Sequence, residues 1–119
     1  MSDSDRCARL LTVVTDFYRC ENARAWDGVR THISDDIVAR SYPGGDEVAG
    51  KDAYMRAMVE MYRGRDETFD VLSISADARS STVHAELVIG GKQSVNVFEL
   101  RDGVIARERE YLGEGYGAT

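Results

Sequence analysis

The sequence predicts an α+β domain in which helices lie on one side of an antiparallel sheet. Apolar residues recur at helical spacing in the first half of the chain, whereas the second half contains four strand-like runs. Glycine-containing turns separate the last three of these runs. Helices followed by a meander of strands are typical of the α+β class. With 119 residues, we expect one domain that covers residues 1–119.

Three helices are predicted in the first half of the chain. The first has an apolar stripe that ends at Phe17 and Tyr18, and its candidate capping residues are Ser2, Asp3 and Ser4. The second is expected over residues 23–33. The third begins after Gly50 and ends at Gly64. Its apolar stripe follows the i, i+3, i+4, i+7, i+8 pattern and consists of Tyr54, Ala57, Met58, Met61 and Tyr62.

The strands are predicted from apolar runs and from the turns that bound them. An early strand covers residues 37–42, after Asp35-Asp36 ends the second helix and before Pro43 ends the strand. The later strands are expected over residues 68–77, 81–89, 92–100 and 104–112. Gly90-Gly91 and Asp102-Gly103 are typical of the turns that join hairpins.

Composition and charge exclude several classes of partner. A net charge of −6 argues against nucleic acid or an anionic membrane as the main partner. No apolar run approaches the roughly 18 residues that a membrane span needs. No catalytic triad, phosphate loop or metal-ligand cluster is present in the sequence, so we expect neither a cofactor nor a metal. The expectation is therefore a cytoplasmic protein whose ligand is a small molecule.

Four stretches of the chain carry a family resemblance. They are "DFYRCENARAWDGV", "SDDIVARSYP", "GKDAYMRAM" and "FELRDGVIARERE". Together they resemble the nuclear transport factor 2-like superfamily and, within it, the SnoaL-like branch. This resemblance implies a curved sheet that wraps the helices into a cone with one apolar pocket. It also implies a homodimer that forms through the outer face of the sheet.

The last strand raises the question of which charged residues face inward, because Arg107, Glu108, Arg109 and Glu110 alternate. A two-residue turn at Asp102-Gly103 would place the arginines on the face of Asn96 and Phe98. A three-residue loop with Gly103 in the left-handed conformation would place the glutamates there instead. We favour the loop, because it joins more apolar residues on one face and agrees with the family. The glutamates would then line the pocket.

Burial would give these glutamates a chemical role. A carboxylate in an apolar pocket has a raised pKa, and a second carboxylate about 7 Å away raises it further. A carboxyl group that titrates near neutral pH is an effective general acid or base. The alternative is a solvated strand end, where Glu and Arg form cross-strand ion pairs.

Three activities of the superfamily provide templates for the site. The ketosteroid isomerase template places its catalytic base at Tyr42, its oxyanion-binding tyrosine at Phe17 or Tyr18, and its protonated aspartate at Asn96. Because Tyr42 is not a carboxylate, this chemistry lacks its base.

The limonene epoxide hydrolase template implies a set formed by His84, Glu86 and Glu110. However, the alternation of Val83 and Ala85 predicts that His84 and Glu86 point outward, unless the Gly90-Gly91 turn shifts the register. The third template, the SnoaL-type polyketide cyclases, requires one acidic residue in the last strand. "DGVIARERE" is similar to that motif, with Glu110 at the final acid and Glu108 two residues before it.

The predicted function is cofactor-independent acid–base catalysis on a hydrophobic small molecule, of the isomerase, cyclase or epoxide-hydrolase type. The candidate catalytic residues are Glu110, Glu108, Tyr42, Asn96, His84 and Glu86. The candidate substrate-binding residues are Tyr18, Trp26, Met58, Tyr62, Phe98 and Leu112. The alternative is a non-catalytic domain of the same fold that binds a small molecule or serves in assembly.

Overall fold

The computed structural model describes residues 1–116 and contains three helices and six strands. In chain order they are α1 Asp3–Asn22, α2 Trp26–Thr31, β1 Ile33–Tyr42, β2 Glu47–Ala49, α3 Lys51–Met61, β3 Asp70–Asp77, β4 Thr82–Ile89, β5 Lys92–Arg101 and β6 Val104–Leu112. The cap of α1 is Ser2, whose hydroxyl oxygen accepts a hydrogen bond of 3.1 Å from the backbone N–H of Asp5. No helix in this part of the chain has both the length and the apolarity to cross a bilayer.

The six strands form one curved, open sheet in the order β2-β1-β6-β5-β4-β3. The α+β class is confirmed, but the prediction of an antiparallel sheet is wrong in one place. Strands β1 and β6 run parallel, whereas all other neighbours are antiparallel. Residues 43–103 separate β1 from β6, so no short turn constrains their relative direction.

Two elements near the early strand differ from the prediction. Helix α2 covers only Trp26–Thr31, and β1 begins at Ile33 rather than at residue 37. Asp35-Asp36 therefore lies within the strand, where the pairing with β6 shifts register between Ile33 and Val38. The three-residue strand β2 was not predicted, because so short a segment has no readable alternation.

The helices cover only the inner face of the sheet. Phe17 of α1 packs edge-on against Phe98 of β5, with ring centroids 5.7 Å apart, and neither side chain is exposed. On the other face of the same strands, His84, Glu86 and Val95 are exposed. The concave side therefore holds the core, and we refer to the convex side as the outer face.

In the hairpin β5–β6 the glutamates face inward, as expected, but the turn and register differ from the prediction. The three-residue loop is wrong: Arg101 pairs with Val104 across a two-residue turn, in which Asp102 and Gly103 both have positive φ. A bulge follows, because Glu99 pairs with Arg107 but Leu100 pairs with Ile105. This extra residue reverses the faces, so that Glu108 lies beside Phe98 on the inner side.

Candidate functional site

A cavity of about 240 Å³ lies between α3 and the inner face of the sheet. Its apolar wall includes Val48, Met58, Met61, Phe69, Leu87 and Ile89. Its polar lining includes Glu21, Ser41, Tyr54, Tyr62, Ser94, Asn96, Glu108 and Glu110. Three carboxyl groups that are buried or half-buried therefore face one mostly apolar space, and the lining also includes the exposed Glu67.

Strand β6 supplies two of these carboxyl groups. Glu108 and Glu110 lie two residues apart, so they share the inner face and lie opposite Phe98 and Asn96 of β5. The hydroxyl group of Tyr54 donates a 2.8 Å hydrogen bond to Oε1 of Glu108. The tyrosine thus fixes the carboxyl group of Glu108 from the opposite wall, which α3 forms.

Glu21 supplies the third carboxyl group and was not predicted. It lies near the end of α1, is 8% exposed, and accepts a 2.5 Å hydrogen bond from the hydroxyl group of Tyr62. A signal for it exists in the sequence, because Glu21 follows Val14, Phe17 and Tyr18 at helical spacing within the buried stripe. A charged residue at such a position is a candidate for function.

The three carboxyl groups have unequal proton affinities. Burial, and then the charges of Glu110 and Glu21, raise the pKa of Glu108 to about 8. Burial, and then the charge of Glu110, raise the pKa of Glu21 to about 7. Burial alone raises the pKa of Glu110. The charge of Glu110 thus favours the protonated forms of Glu108 and Glu21, whereas neither of these two groups contributes to the raised pKa of Glu110.

Asn96 is the polar group at the centre of β5. It is 3% exposed and its Nδ2 donates a 3.1 Å hydrogen bond to the hydroxyl oxygen of Tyr18. Its Oδ1 is buried without a hydrogen-bond partner. Unpartnered buried acceptors are uncommon, and because the side chain of Asn96 lines the cavity, this carbonyl oxygen is a candidate contact for a ligand.

The structure separates the candidate catalytic residues into two groups. Glu108, Glu110 and Asn96 line the cavity. His84 and Glu86 do not, because the alternation of β4 points both side chains to the outer face, where the hydroxyl group of Ser73 donates to Glu86. The assignment of His84 and Glu86 to a site inside the pocket is therefore wrong.

Tyr42 also lies away from the cavity. Its neighbour Ser41 lines the cavity, so the alternation of β1 directs Tyr42 to the opposite face. There it stacks on Tyr111, with ring centroids 5.1 Å apart. The prediction that Tyr42 lies in the pocket is therefore wrong, again because side chains alternate between the two faces of a strand.

Among the candidate substrate-binding residues, Met58 and Tyr62 line the cavity. The other four do not. Phe98 is fully buried in the core, and Tyr18 lies behind Asn96. Trp26 packs behind Tyr62 with a centroid separation of 5.9 Å, and Leu112 is a half-buried residue near the end of β6. Their helical or strand patterns indicated burial, which does not distinguish a core residue from a wall residue.

Comparison with known proteins places this architecture in a family. The SnoaL-like domain matches residues 14–108. A candidate polyketide cyclase from Xanthomonas campestris shares 20% identity, with 91% of this chain and 93% of that chain covered and a TM-score of 0.80. An LEH-like epoxide hydrolase from M. tuberculosis shares 24% identity, with coverages of 90% and 84% and a TM-score of 0.71.

A candidate ketosteroid isomerase from Kribbella flavida has 20% identity, coverages of 95% and 84%, and a TM-score of 0.77. These likenesses establish the fold. A search among curated proteins found no match. The helices, the mixed sheet and the matched residues agree, and the chain belongs to the SnoaL-like domain family.

Proposed function

We propose that the protein is a cofactor-independent acid–base enzyme that acts on a hydrophobic small molecule. One observation carries this proposal: Glu21, Glu108 and Glu110 line the same apolar cavity and differ in proton affinity. Near neutral pH the cavity can therefore hold a carboxylate base and a carboxylic acid at the same time.

The two glutamates of β6 are assigned opposite roles. Glu110, whose charge favours the protonated form of Glu108, is the general base that removes a proton from the substrate. Glu108 is the general acid that returns a proton, and the hydroxyl group of Tyr54 orients its carboxyl group. Because the two residues lie about 7 Å apart along the strand, one small substrate can reach both groups.

The cavity limits the size of the substrate, and the relatives suggest the reaction. A cavity of about 240 Å³ is suited to a skeleton of one or two rings. Isomerisation, cyclisation and epoxide opening can each proceed by acid–base catalysis, and the names of the similar structures include these three types. The proposal therefore covers these three reaction types.

A substrate panel tests this function. One-ring ketones and epoxides, each with and without an amino substituent, are incubated with the protein in deuterated water, and mass spectrometry detects deuterium uptake, rearrangement or diol formation. We expect turnover of at least one compound and a loss of about 10²–10⁴-fold in kcat for Glu110→Gln and for Glu108→Gln. Glu86→Gln is the matched control, because Glu86 lies on the outer face.

Equal rates for Glu110→Gln and the wild type would contradict the assignment of the base. If panel compounds bind in the cavity but none reacts, the acid–base proposal fails. The result would then favour a non-catalytic small-molecule-binding domain, for which the unpartnered Oδ1 of Asn96 provides a ligand contact.

A further inference from the structure

We propose that the natural ligand of the cavity is an apolar molecule that carries a protonated amine. This inference rests on the proposed use of the cavity as the ligand site, and it adds the charge of the ligand. Four features support it: unbalanced charge in the cavity, the direction of the hydrogen bonds, an unpartnered acceptor, and the position of that acceptor beside a carboxylate.

The first feature is the charge. Glu21, Glu108 and Glu110 form no ion pair within 4.0 Å with a basic side chain among residues 1–116. Arg24 lowers the pKa of Glu21 by its charge, but its guanidinium carbon lies 4.0 Å from the ring centroid of Tyr62. The negative charge of ionised Glu110 or Glu21 lies in the cavity without a counter-ion from the described part of the chain, which is costly, and a bound cation removes that cost.

The second feature is the direction of the hydrogen bonds. The hydroxyl groups of Tyr54 and Tyr62 both donate, and their acceptors are Glu108 and Glu21. These two donors are therefore engaged within the wall, while the carboxyl oxygens of Glu21 and Glu110 remain as acceptors. A ligand that supplies N–H donors complements such a lining better than one that supplies only acceptors.

The third feature is Asn96, which is independent of the acidic residues. Its side chain is nearly fully buried, it lines the cavity, and its Oδ1 has no partner. One N–H of its Nδ2 donates to the hydroxyl oxygen of Tyr18, and Oδ1 is the atom of the amide that has no hydrogen-bond partner within residues 1–116. A buried acceptor without a partner costs free energy that a donor on the ligand would recover.

The fourth feature is the position of this acceptor. Asn96 of β5 and Glu110 of β6 are direct cross-strand partners on the inner face. Their Cβ atoms are therefore about 5 Å apart, a spacing that one ammonium group can bridge. Such a group has three N–H donors, one for Oδ1 of Asn96 and the others for the carboxylate of Glu110.

Two basic residues at the exposed end of the cavity offer a competing possibility. Arg65 and Lys92 line the cavity, Arg65 is exposed, and Nζ of Lys92 lies 5.4 Å from the ring centroid of Tyr116. If these bases selected the ligand, an anion would bind best. The experiment therefore compares ligands of each charge.

Calorimetric titration with benzylamine, benzyl alcohol and benzoate separates these possibilities, because the three molecules have similar size and differ in charge. Near pH 8, where Glu21 is mostly ionised, we expect benzylamine to bind at least about tenfold more tightly than benzyl alcohol. Benzoate is expected to bind most weakly. Tighter binding of benzoate or benzyl alcohol, equal binding of all three, or binding of none would overturn the inference.

Variants of Glu110 and Glu108 test whether these residues cause the preference for benzylamine over benzyl alcohol. Glu110→Gln is expected to weaken benzylamine about tenfold and to change benzyl alcohol by less than about twofold. Glu108→Gln is a second cavity variant that is expected to weaken the binding of benzylamine. Glu86→Gln on the outer face is the matched control. Unchanged selectivity in both cavity variants would also overturn the inference.

This binding test and the turnover test fail independently. Binding of benzylamine needs charge and acceptors but no proton transfer. Preferred binding of benzyl alcohol together with turnover of a neutral panel compound would remove the amine and leave the acid–base function. Preferred binding of benzylamine without turnover of any compound would support the amine ligand and reject the acid–base function.

Discussion

At the scale of single residues, Glu108 makes the free energy of unfolding depend on pH. A glutamate in an unfolded chain has a pKa near 4.3, whereas that of folded Glu108 is about 8. The fold therefore favours the protonated form, and stability falls as the pH rises from about 4.3 to about 8, beyond which the loss is complete. Glu108→Gln removes this loss and keeps an acceptor for Tyr54.

Urea unfolding at a series of pH values measures the effect. We expect Glu108→Gln to match the wild type near pH 4 and to exceed its stability by about 1–3 kcal/mol near pH 9. Glu86→Gln, at an exposed position of the outer face, is the matched control. A difference that does not change with pH would mean that the carboxyl group of Glu108 is hydrated in the folded protein.

The sequence predicted Glu108 and Glu110 in the pocket but not Glu21. The first two stand out because charges alternate along a strand, where the period of two assigns each residue to a face. Glu21 lies on a helix, where its position in the buried stripe is less conspicuous. The catalytic role that the epoxide hydrolase template implied for His84 and Glu86 is wrong. The alternation of β4 points both side chains to the outer face, as the sequence pattern indicated.

At the scale of secondary-structure elements, α1 and α2 approach closely at Gly28. A Cβ atom added at this position would lie 2.5 Å from Sγ of Cys20, which is buried in α1. No real contact is so short, so the helices or the thiol must move. Gly28→Ala is therefore expected to destabilise the fold by about 1–3 kcal/mol through overpacking.

A double-mutant cycle identifies the cause of this destabilisation. Cys20→Ala removes the sulfur atom, so that the added methyl group of Gly28→Ala has room. We expect the double mutant to be more stable than Gly28→Ala alone, as measured by thermal or urea unfolding. Additive effects of the two substitutions would show that Gly28 is required for another reason.

In the β5–β6 hairpin the sequence predicted the strands and the turn but not the bulge. The strands and the Asp102-Gly103 turn were predicted, because alternation and turn residues are local signals. The bulge between the turn and Glu108 was not, because no residue type marks it. Beyond the bulge Leu100 pairs with Ile105, and both side chains are buried in the core. The inner face was nevertheless predicted, since the apolar residues of the two strands indicate it.

At the scale of the whole molecule, the parallel pairing of β1 and β6 builds the site. It brings Ser41 beside Glu110, while the antiparallel pairing of β5 and β6 brings Asn96 to its other side. Long-range pairing of this kind has no local sequence signal. The family resemblance predicted a pocket, whereas the residues that line the cavity could be identified only from the structure.

The same sheet leads to a proposal about assembly, because none of the helices within residues 1–116 covers its outer face. Val95 and Tyr111 are cross-strand partners on this face and remain 38% and 42% exposed. Tyr111 also stacks on Tyr42, which extends the apolar surface across three neighbouring strands. A twofold axis through this face would place the apolar surface of one copy against that of the other, and we expect a homodimer.

Sedimentation equilibrium tests this assembly. Tyr111→Glu introduces a charge at the centre of the apolar surface and is expected to shift the protein from dimer to monomer, with the cavity unaltered because Tyr111 points away from it. Thr15→Glu adds the same charge at an exposed position of α1 and should leave the dimer intact. A wild type that stays monomeric at every concentration would contradict the proposal, and so would a Tyr111→Glu variant that still forms dimers.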